Sequence, residues 1–423
     1  MLLLPDARAR TGLYLLVFLA GFLLALFAAR SLSASRLGFL LLAAALFRAT
    51  LLPRAPDLSD DIHRYTWDGK VARAGVSPYA HAPADPALAR LDPEMRSRVA
   101  HPEIRTVYPP LAQAAFRVFG GSPLALKAFF SAADVAIVAM LWRRGPGGAF
   151  AAALYAFHPM PVTETAGQGH LDSLGVALLL AALAWMGRGR RAAAGVALAA
   201  SVLTKYISGG AVPVLLRNGR VRFLAGSALF FTLVWTIAGR GASPVGGFSD
   251  FALRWDSNSV LYPAAVRFME WSELPARAKD LFIAWKADHG HPPWTQEVFP
   301  FFYSAFFARV ALAALLALAL AWITWRVRDP LDGTFASLAV LLLLSPTLHP
   351  WYLLWLLPFA AVRKNAAFLY LSWAASLSYA LMYPTPALPE AAVYAIEYVP
   401  FALLLLLGIR RARMRRIRRE ATP

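Results

Sequence analysis

The sequence predicts an all-α polytopic membrane protein, a bundle of about 11 to 13 transmembrane helices with a long outer loop carrying short interfacial helices. Three observations lead there. Runs such as "LYLLVFLAGFLLALFAA" (13–29), "ALAALLALALAWITW" (311–325) and "PFALLLLLGI" (400–409) recur along a 423-residue chain that is 59% hydrophobic, with a mean hydropathy of +0.52. A span needs about 20 mostly apolar residues, because it crosses roughly 30 Å of hydrocarbon with its backbone bonds satisfied internally. The runs also lack the alternation that strands would show. Finally, the basic residues behind the net charge of +18 fall mainly between the runs. They read as topology signals rather than as a nucleic-acid-binding face, so no nucleic acid partner is expected. Cysteine is absent, which excludes a disulfide framework and a Cys-ligated metal.

Basic clusters stand at Arg30 and Arg36, Arg143 and Arg144, Arg188 to Arg191, Arg217 to Arg222, Arg326 and Arg328, Arg363 and Lys364, and in the tail "RRARMRRIRR". The positive-inside bias puts them all in the cytoplasm. The gaps that then fall outside at 163–170, 347–350 and 384–390 contain no Lys or Arg. This parity places spans near 12–29, 36–53, 123–142, 147–163, 171–187, 192–206, 207–217, 221–239, 302–326, 333–348, 350–362, 366–384 and 391–410, with the N-terminus outside and the C-terminus inside. A cleavable leader is the other reading of the first run, disfavoured by its length and by Arg30 directly after it. The short pair broken by "SGG" at 208–210 and the run 350–362 read as re-entrant or tilted half-helices, which are tolerated where they line a polar cavity.

The organisation that results is an N-terminal helical part (1–53), a first outer loop (54–122), central helices (123–239), a second outer loop (240–301), C-terminal helices (302–410) and a basic tail (411–423). In the first loop, Asp85 before Pro86 and Asp92 before Pro93 predict capped short helices with proline at the first helical position. The aromatic-rich second loop predicts helices lying in the interface.

Four groups interrupt the apolar pattern. In "SDDIHRYTWDG", a helix would place Asp61, Arg64 and Asp68 on one face and Asp60 about 100° away, so one of the adjacent carboxylates could face a given site. The structural alternative is Ser59 as an N-cap with two Asp complementing the helix dipole. In "TETAGQGHLDSL", Glu164, His170 and Asp172 lie within one short turn, and a solvated turn is the alternative. Metal binding is a further alternative, for which one His beside carboxylates without a fixed ligand spacing is weak evidence. Lys205 in "SVLTKYISGG" sits at a helix break, where a phosphate would be a suitable partner and snorkelling to the interface the alternative. His349 in "SPTLHPWYLLW" is either a fourth site residue or a histidine of an aromatic belt.

The stretches "SDDIHRYTWDGKVARAGVSPY", "VYPPLAQ" (107–113), "GQGHLDSL" (167–174), "LTKY" (203–206) and "HPWYLLWLLPF" (349–359) together resemble the bacterial GT-C superfamily of polytopic glycosyltransferases. Within it they are most similar to the polyprenyl-phosphate-mannose-dependent mannosyltransferases. The resemblance runs from about residue 57 to 359 and implies an acidic catalytic residue in the first large outer loop. Asp61, leading a D-x-x-x-Y pattern that ends at Tyr65, would be the base, with Asp60 second. Lys205, His349 and Arg64 would hold the donor phosphate. Tyr65, Asp68, Tyr108, Glu164, His170, Asp172 and Trp351 would contact substrates. A single carboxylate base with no covalent intermediate predicts inversion, and a leaving phosphate that is already anionic, with no strong ligand set in view, predicts that no metal is needed. The enzyme expected is a monomer of the bacterial inner membrane without cofactor. It would take a sugar from a polyprenyl-phosphate donor to a lipid-linked, glycan or protein acceptor, among membrane lipids and on the extracytoplasmic side. Family members commonly place this loop after one span, whereas two apolar runs precede it here. The rival from another class is a transporter or flippase for a lipid-linked or anionic solute, using Lys205 and the broken helices; no internal repeat supports it.

Overall fold

Apolar runs become helices and prolines become breaks in the computed structural model, which describes residues 6–32, 36–145, 147–219, 221–238, 246–383 and 388–420. Among the described residues every regular element is helical, apart from one parallel bridge between Ser257 and Thr347. Parts of the connections at 240–301 and 384–390, and the end of the 411–423 tail, lie outside them. Helices Thr11–Ser31, Pro123–Trp142, Ser304–Arg326 and Glu390–Met414 are long and apolar enough to cross a membrane singly. Large side chains on them, including Leu24, Phe27, Leu318 and Trp322, are more than half exposed. Such outward faces have lipid as their natural solvent. The chain is a multi-pass membrane protein.

The remaining apolar runs are shorter or broken. Helix Leu37–Leu51 rises only about 22 Å, short of the roughly 30 Å hydrocarbon core. Helix Gly148–Phe157 stops because His158 precedes Pro159 and is pushed into extended backbone, with ψ 130°. The chain then makes a π-helical turn over Pro161–Gly167 and bends by 120° into helix Asp172–Gly187. Residues 163–170 are therefore no solvated turn: Glu164, His170 and Asp172 are fully buried. The predicted break at "SGG" lies earlier. Helix Arg191–Thr204 ends at Lys205, which is extended (φ −155°, ψ 132°), and "SGG" falls inside the 3-10 turn Tyr206–Ala211. The run 350–362 is a 3-10 turn, Pro350–Trp355, followed by the short helix Leu357–Arg363.

In the first loop both predicted caps form. Asp85 accepts from the Ala87 amide at 2.8 Å and Asp92 from that of Met95 at 3.0 Å. The second loop contains helices Leu261–Ser272 and Leu274–Asp288, with Trp271 and Leu281 strongly exposed. At its start, Asn258 ties the loop to the C-terminal helix by donating to Glu397 at 2.9 Å.

One buried ion pair clamps helices Leu37–Leu51, Pro123–Trp142 and Gly148–Phe157. Arg48 Nε meets Asp134 at 2.6 Å, its Nη1 donates to the Ala156 carbonyl at 2.8 Å, and the Tyr155 hydroxyl donates to Asp134 at 2.6 Å. Removing one partner of such a pair strands a buried charge, which costs about 3 to 5 kcal/mol. Asp134→Asn is therefore expected to lower the unfolding midpoint in detergent markedly. An unchanged midpoint would show that the pair contributes nothing net. Nearby, Lys127 donates to the carbonyls of Leu51 (3.1 Å) and Arg54 (2.6 Å), neutralising the end of helix Leu37–Leu51 where the chain leaves for the first loop.

Candidate active site

The first loop is seated on the π-turn. Gln168 accepts from the amides of Asp57 and Leu58 at 3.0 and 2.9 Å and donates back to Asp57 at 3.1 Å. Gly169 beside it has φ +83°, and a Cβ there would lie 2.4 Å from Ile62, so the close seat requires glycine. Helix Asp61–Arg73 then begins with Asp60, not Ser59, in the N-cap position. Because Asp60 lies outside the helix, the 100° separation does not apply, and both carboxylates border one cavity. They differ in partners. Asp60 is held by Arg8 at 2.7 Å. Asp61, one third exposed, receives the Tyr65 hydroxyl at 3.4 Å and stands 3.9 Å from His170 Nε2. Burial and the nearby Asp172 push the Asp61 carboxyl above the usual carboxylate range, against the opposing pull of Lys205, Tyr108 and Tyr65.

Lys205 is one of the cations of this site. Its ammonium lies 2.8 Å from both oxygens of Asp172 and 4.5 Å over the Tyr352 ring. The Trp355 indole donates to Asp172 at 2.7 Å, and its ring passes so close to Gly175 that a Cβ there would meet it at 2.5 Å. No proline forces the extended break at Lys205; the ion pair holds it there. Beside it, His349 and His170 sandwich Trp351, with ring centroids 4.4 and 4.0 Å away. His170 Nε2 lies 3.0 Å from Ser59 Oγ and Nδ1 3.1 Å from Glu164, which accepts from the Tyr379 hydroxyl at 3.0 Å.

These groups surround a cavity of ≈ 490 Å³. Of the residues singled out from the sequence, Asp60, Asp61, Arg64, Tyr108, Lys205, His349 and Trp351 line it. Tyr65, Asp68, Glu164, His170 and Asp172 stand behind that lining. Asp68 spends its oxygens on Arg64 (2.9 Å) and Gln113 (2.8 Å), so it orients Arg64 rather than facing the cavity. Apolar side chains line the cavity as well. Leu312, Ala313 and Leu316 follow Arg309 on one face of helix Ser304–Arg326, opposite Leu341 and Leu344. Arg309, Trp355, Gln168 and Arg8 escaped the sequence reading. Arg309 could have been noticed as an arginine within an apolar run, and Trp355 by its spacing of four from Trp351.

An amphipathic cavity of this kind suits several chemistries, and comparison with known proteins narrows them. The family described as "Alpha-(1->6)-mannopyranosyltransferase, N-terminal domain" matches residues 5–218. The chain belongs to this mannopyranosyltransferase family. The MptB C-terminal domain matches residues 302–410. No curated protein and no solved structure matches the chain. Membership makes the protein a glycosyltransferase and sets the transporter reading aside. The family match begins before both N-terminal helices, so the second apolar run is no addition to this mannopyranosyltransferase pattern.

Proposed function

We propose that the protein transfers mannose from a polyprenyl-phosphate donor to a glycan acceptor on the extracytoplasmic face of the bacterial inner membrane, inverting the anomeric centre and forming an α-(1→6) bond. The observation that carries this reading is the mixed lining of the cavity. Asp61, Arg64 and Lys205 line it together with Leu312, Leu316 and Leu341, as a sugar phosphate on an isoprenoid tail would require. The family description supports mannose and the linkage.

In this reaction the acceptor hydroxyl oxygen bonds to C1 of mannose as the bond from C1 to the phosphate oxygen breaks. The oxygen leaves with the electron pair, and the acceptor proton passes to Asp61. A single carboxylate base with no covalent intermediate gives inversion. Lys205 and Arg64 would offset the growing charge on the leaving phosphate, and His349 and Trp351 would flank it. Asp172 and Trp355 position Lys205; Glu164, His170 and Ser59 position the start of the loop helix. The leaving group is an anionic phosphate from the outset, so the step places no demand on a divalent ion.

The purified protein in proteoliposomes, given polyprenyl-phosphate mannose labelled in the sugar and an α-mannan acceptor, is expected to release polyprenyl phosphate and label the acceptor. Use of a nucleotide sugar instead would overturn the donor assignment. The pH profile offers a second check. A base whose pKa is raised by burial works only when ionised, so kcat/KM should fall as pH drops through a value above the ordinary carboxylate range. A profile flat down to the normal carboxylate range would remove Asp61 from the role.

A further inference from the structure

Three Lys or Arg side chains line the cavity among the described residues, and two of them are met by carboxylates. Arg64 has Asp68 at 2.9 Å and Lys205 has Asp172 at 2.8 Å. Arg309 differs. Its Nη1 donates to the carbonyls of Ala252 and Trp255, each at 3.1 Å, and its guanidinium lies 4.6 Å over the Tyr262 ring. These partners orient the group and leave its charge in place, for among the described residues no carboxylate pairs with it. Its Nε is buried without a hydrogen-bond partner, as is Nδ1 of His349 in the same lining, so neither side chain is saturated.

The place of Arg309 on its helix gives the second indication. Leu312, Ala313 and Leu316 follow it one and two turns further along helix Ser304–Arg326 and line the cavity on the same face. The other face carries Leu315, Leu318 and Trp322, each at least half exposed, with lipid as its natural solvent. This helix therefore stands between lipid and cavity, and its cavity face runs from an unneutralised cation into apolar side chains. A charge kept in such a run is a functional group by default.

We propose that Arg309 retains the product lipid: it holds polyprenyl phosphate more tightly than the sugar-loaded donor, with the first isoprene units against Leu312 and Leu316. The inference rests on the donor proposed above. Breaking the bond from C1 to oxygen turns a phosphodiester with one negative charge into a monoester, which carries about 1.5 to 2 near neutral pH. Lys205 and Arg64 already share their charge with carboxylates, so the added negative charge is met chiefly by Arg309. Departure of the spent lipid, more than arrival of the donor, is what Arg309 governs.

Calorimetric titration of the full chain in detergent tests this with three probes that share one tail: farnesyl phosphate (a monoester), methyl farnesyl phosphate (a diester) and farnesol. The wild type should bind the monoester more tightly than the diester, and both more tightly than farnesol. Arg309→Gln should lose about tenfold or more in affinity for the monoester, the usual effect of losing a hydrogen bond to a charged group, and less for the diester. Arg309→Lys keeps the charge and should keep the preference for the monoester. Equal wild-type binding of the two esters, unchanged monoester affinity in Arg309→Gln, or loss of the preference in Arg309→Lys would each overturn the inference and leave the donor reading standing. An equal loss for all three probes in Arg309→Gln would make Arg309 a fastener of the second loop, which overturns it too. A wild type that binds neither ester better than farnesol would sink the donor reading itself. Should Arg309→Gln unfold, the wild-type comparison and Arg309→Lys decide.

Discussion

Asp61→Asn is expected to reduce mannosyl transfer by about two to four orders of magnitude, the usual cost of losing a positioned base, while the protein folds and still binds donor. The asymmetry between the two adjacent carboxylates sets this expectation. Asp60 already has Arg8 at 2.7 Å and is 44% exposed, so its pair is a surface ion pair worth about 0 to 1 kcal/mol. Asp61 has tyrosine hydroxyls, a histidine at 3.9 Å and the more distant Lys205 to meet its charge, with no direct ion pair among the described residues, and burial disfavours its ionised form. A carboxylate kept ionised in such surroundings gains from accepting a proton, which a base must do in turnover. Asparagine removes the charge without changing size, so stability should hold or rise slightly. Asp60→Asn should leave turnover within a few-fold of wild type. Two variants with near-normal turnover would make the polar tract structural and remove the proposed base. A loss confined to Asp60→Asn would move the role one residue back.

Ionisable residues in apolar surroundings were the legible part of this site. Asp61, Lys205 and His349 stand out because hydrocarbon penalises them unless they are used, and all three reach one cavity. The unbroken long helices were legible for the same reason, since a run such as 304–326 has one viable conformation in lipid. Partnerships across long sequence distances were not legible. Gln168 meets Asp57 from 111 residues away and Trp355 meets Asp172 from 183, and no local period encodes either. Lacking those partners, a sequence reader gives Glu164, His170 and Asp172 to the substrate, whereas the fold uses them to hold Lys205 and the loop helix. Arg48 was invisible for a related reason. It sits near a helix end like a topology signal, yet its charge is consumed inside the bundle by Asp134. Charge patterning reports where a cation stands in the chain, and only packing reports which way it turns.

Lys205 separates the two uses of a buried charge most sharply. Asp172 is fully buried and Lys205 nearly so, and the ammonium bridges both carboxylate oxygens at 2.8 Å. Lys205→Met would leave Asp172 with only the Trp355 indole, at a cost of about 3 to 5 kcal/mol in stability. It would also remove one of the cations lining the cavity, with a loss of about two to three orders of magnitude in kcat by analogy with other preorganised charge-stabilising groups. The single variant cannot tell these effects apart, because a destabilised enzyme is also a slow one. The double variant Lys205→Met/Asp172→Asn can. Its neutral amide still accepts from Trp355 and no longer needs a counter-ion, so the melting midpoint should return most of the way to wild type. If Lys205 stabilises the departing phosphate, transfer stays low in the repaired protein. Should turnover recover together with the midpoint, Lys205 would be a structural partner of Asp172, and the leaving group would have to rely on Arg64 and its neighbours.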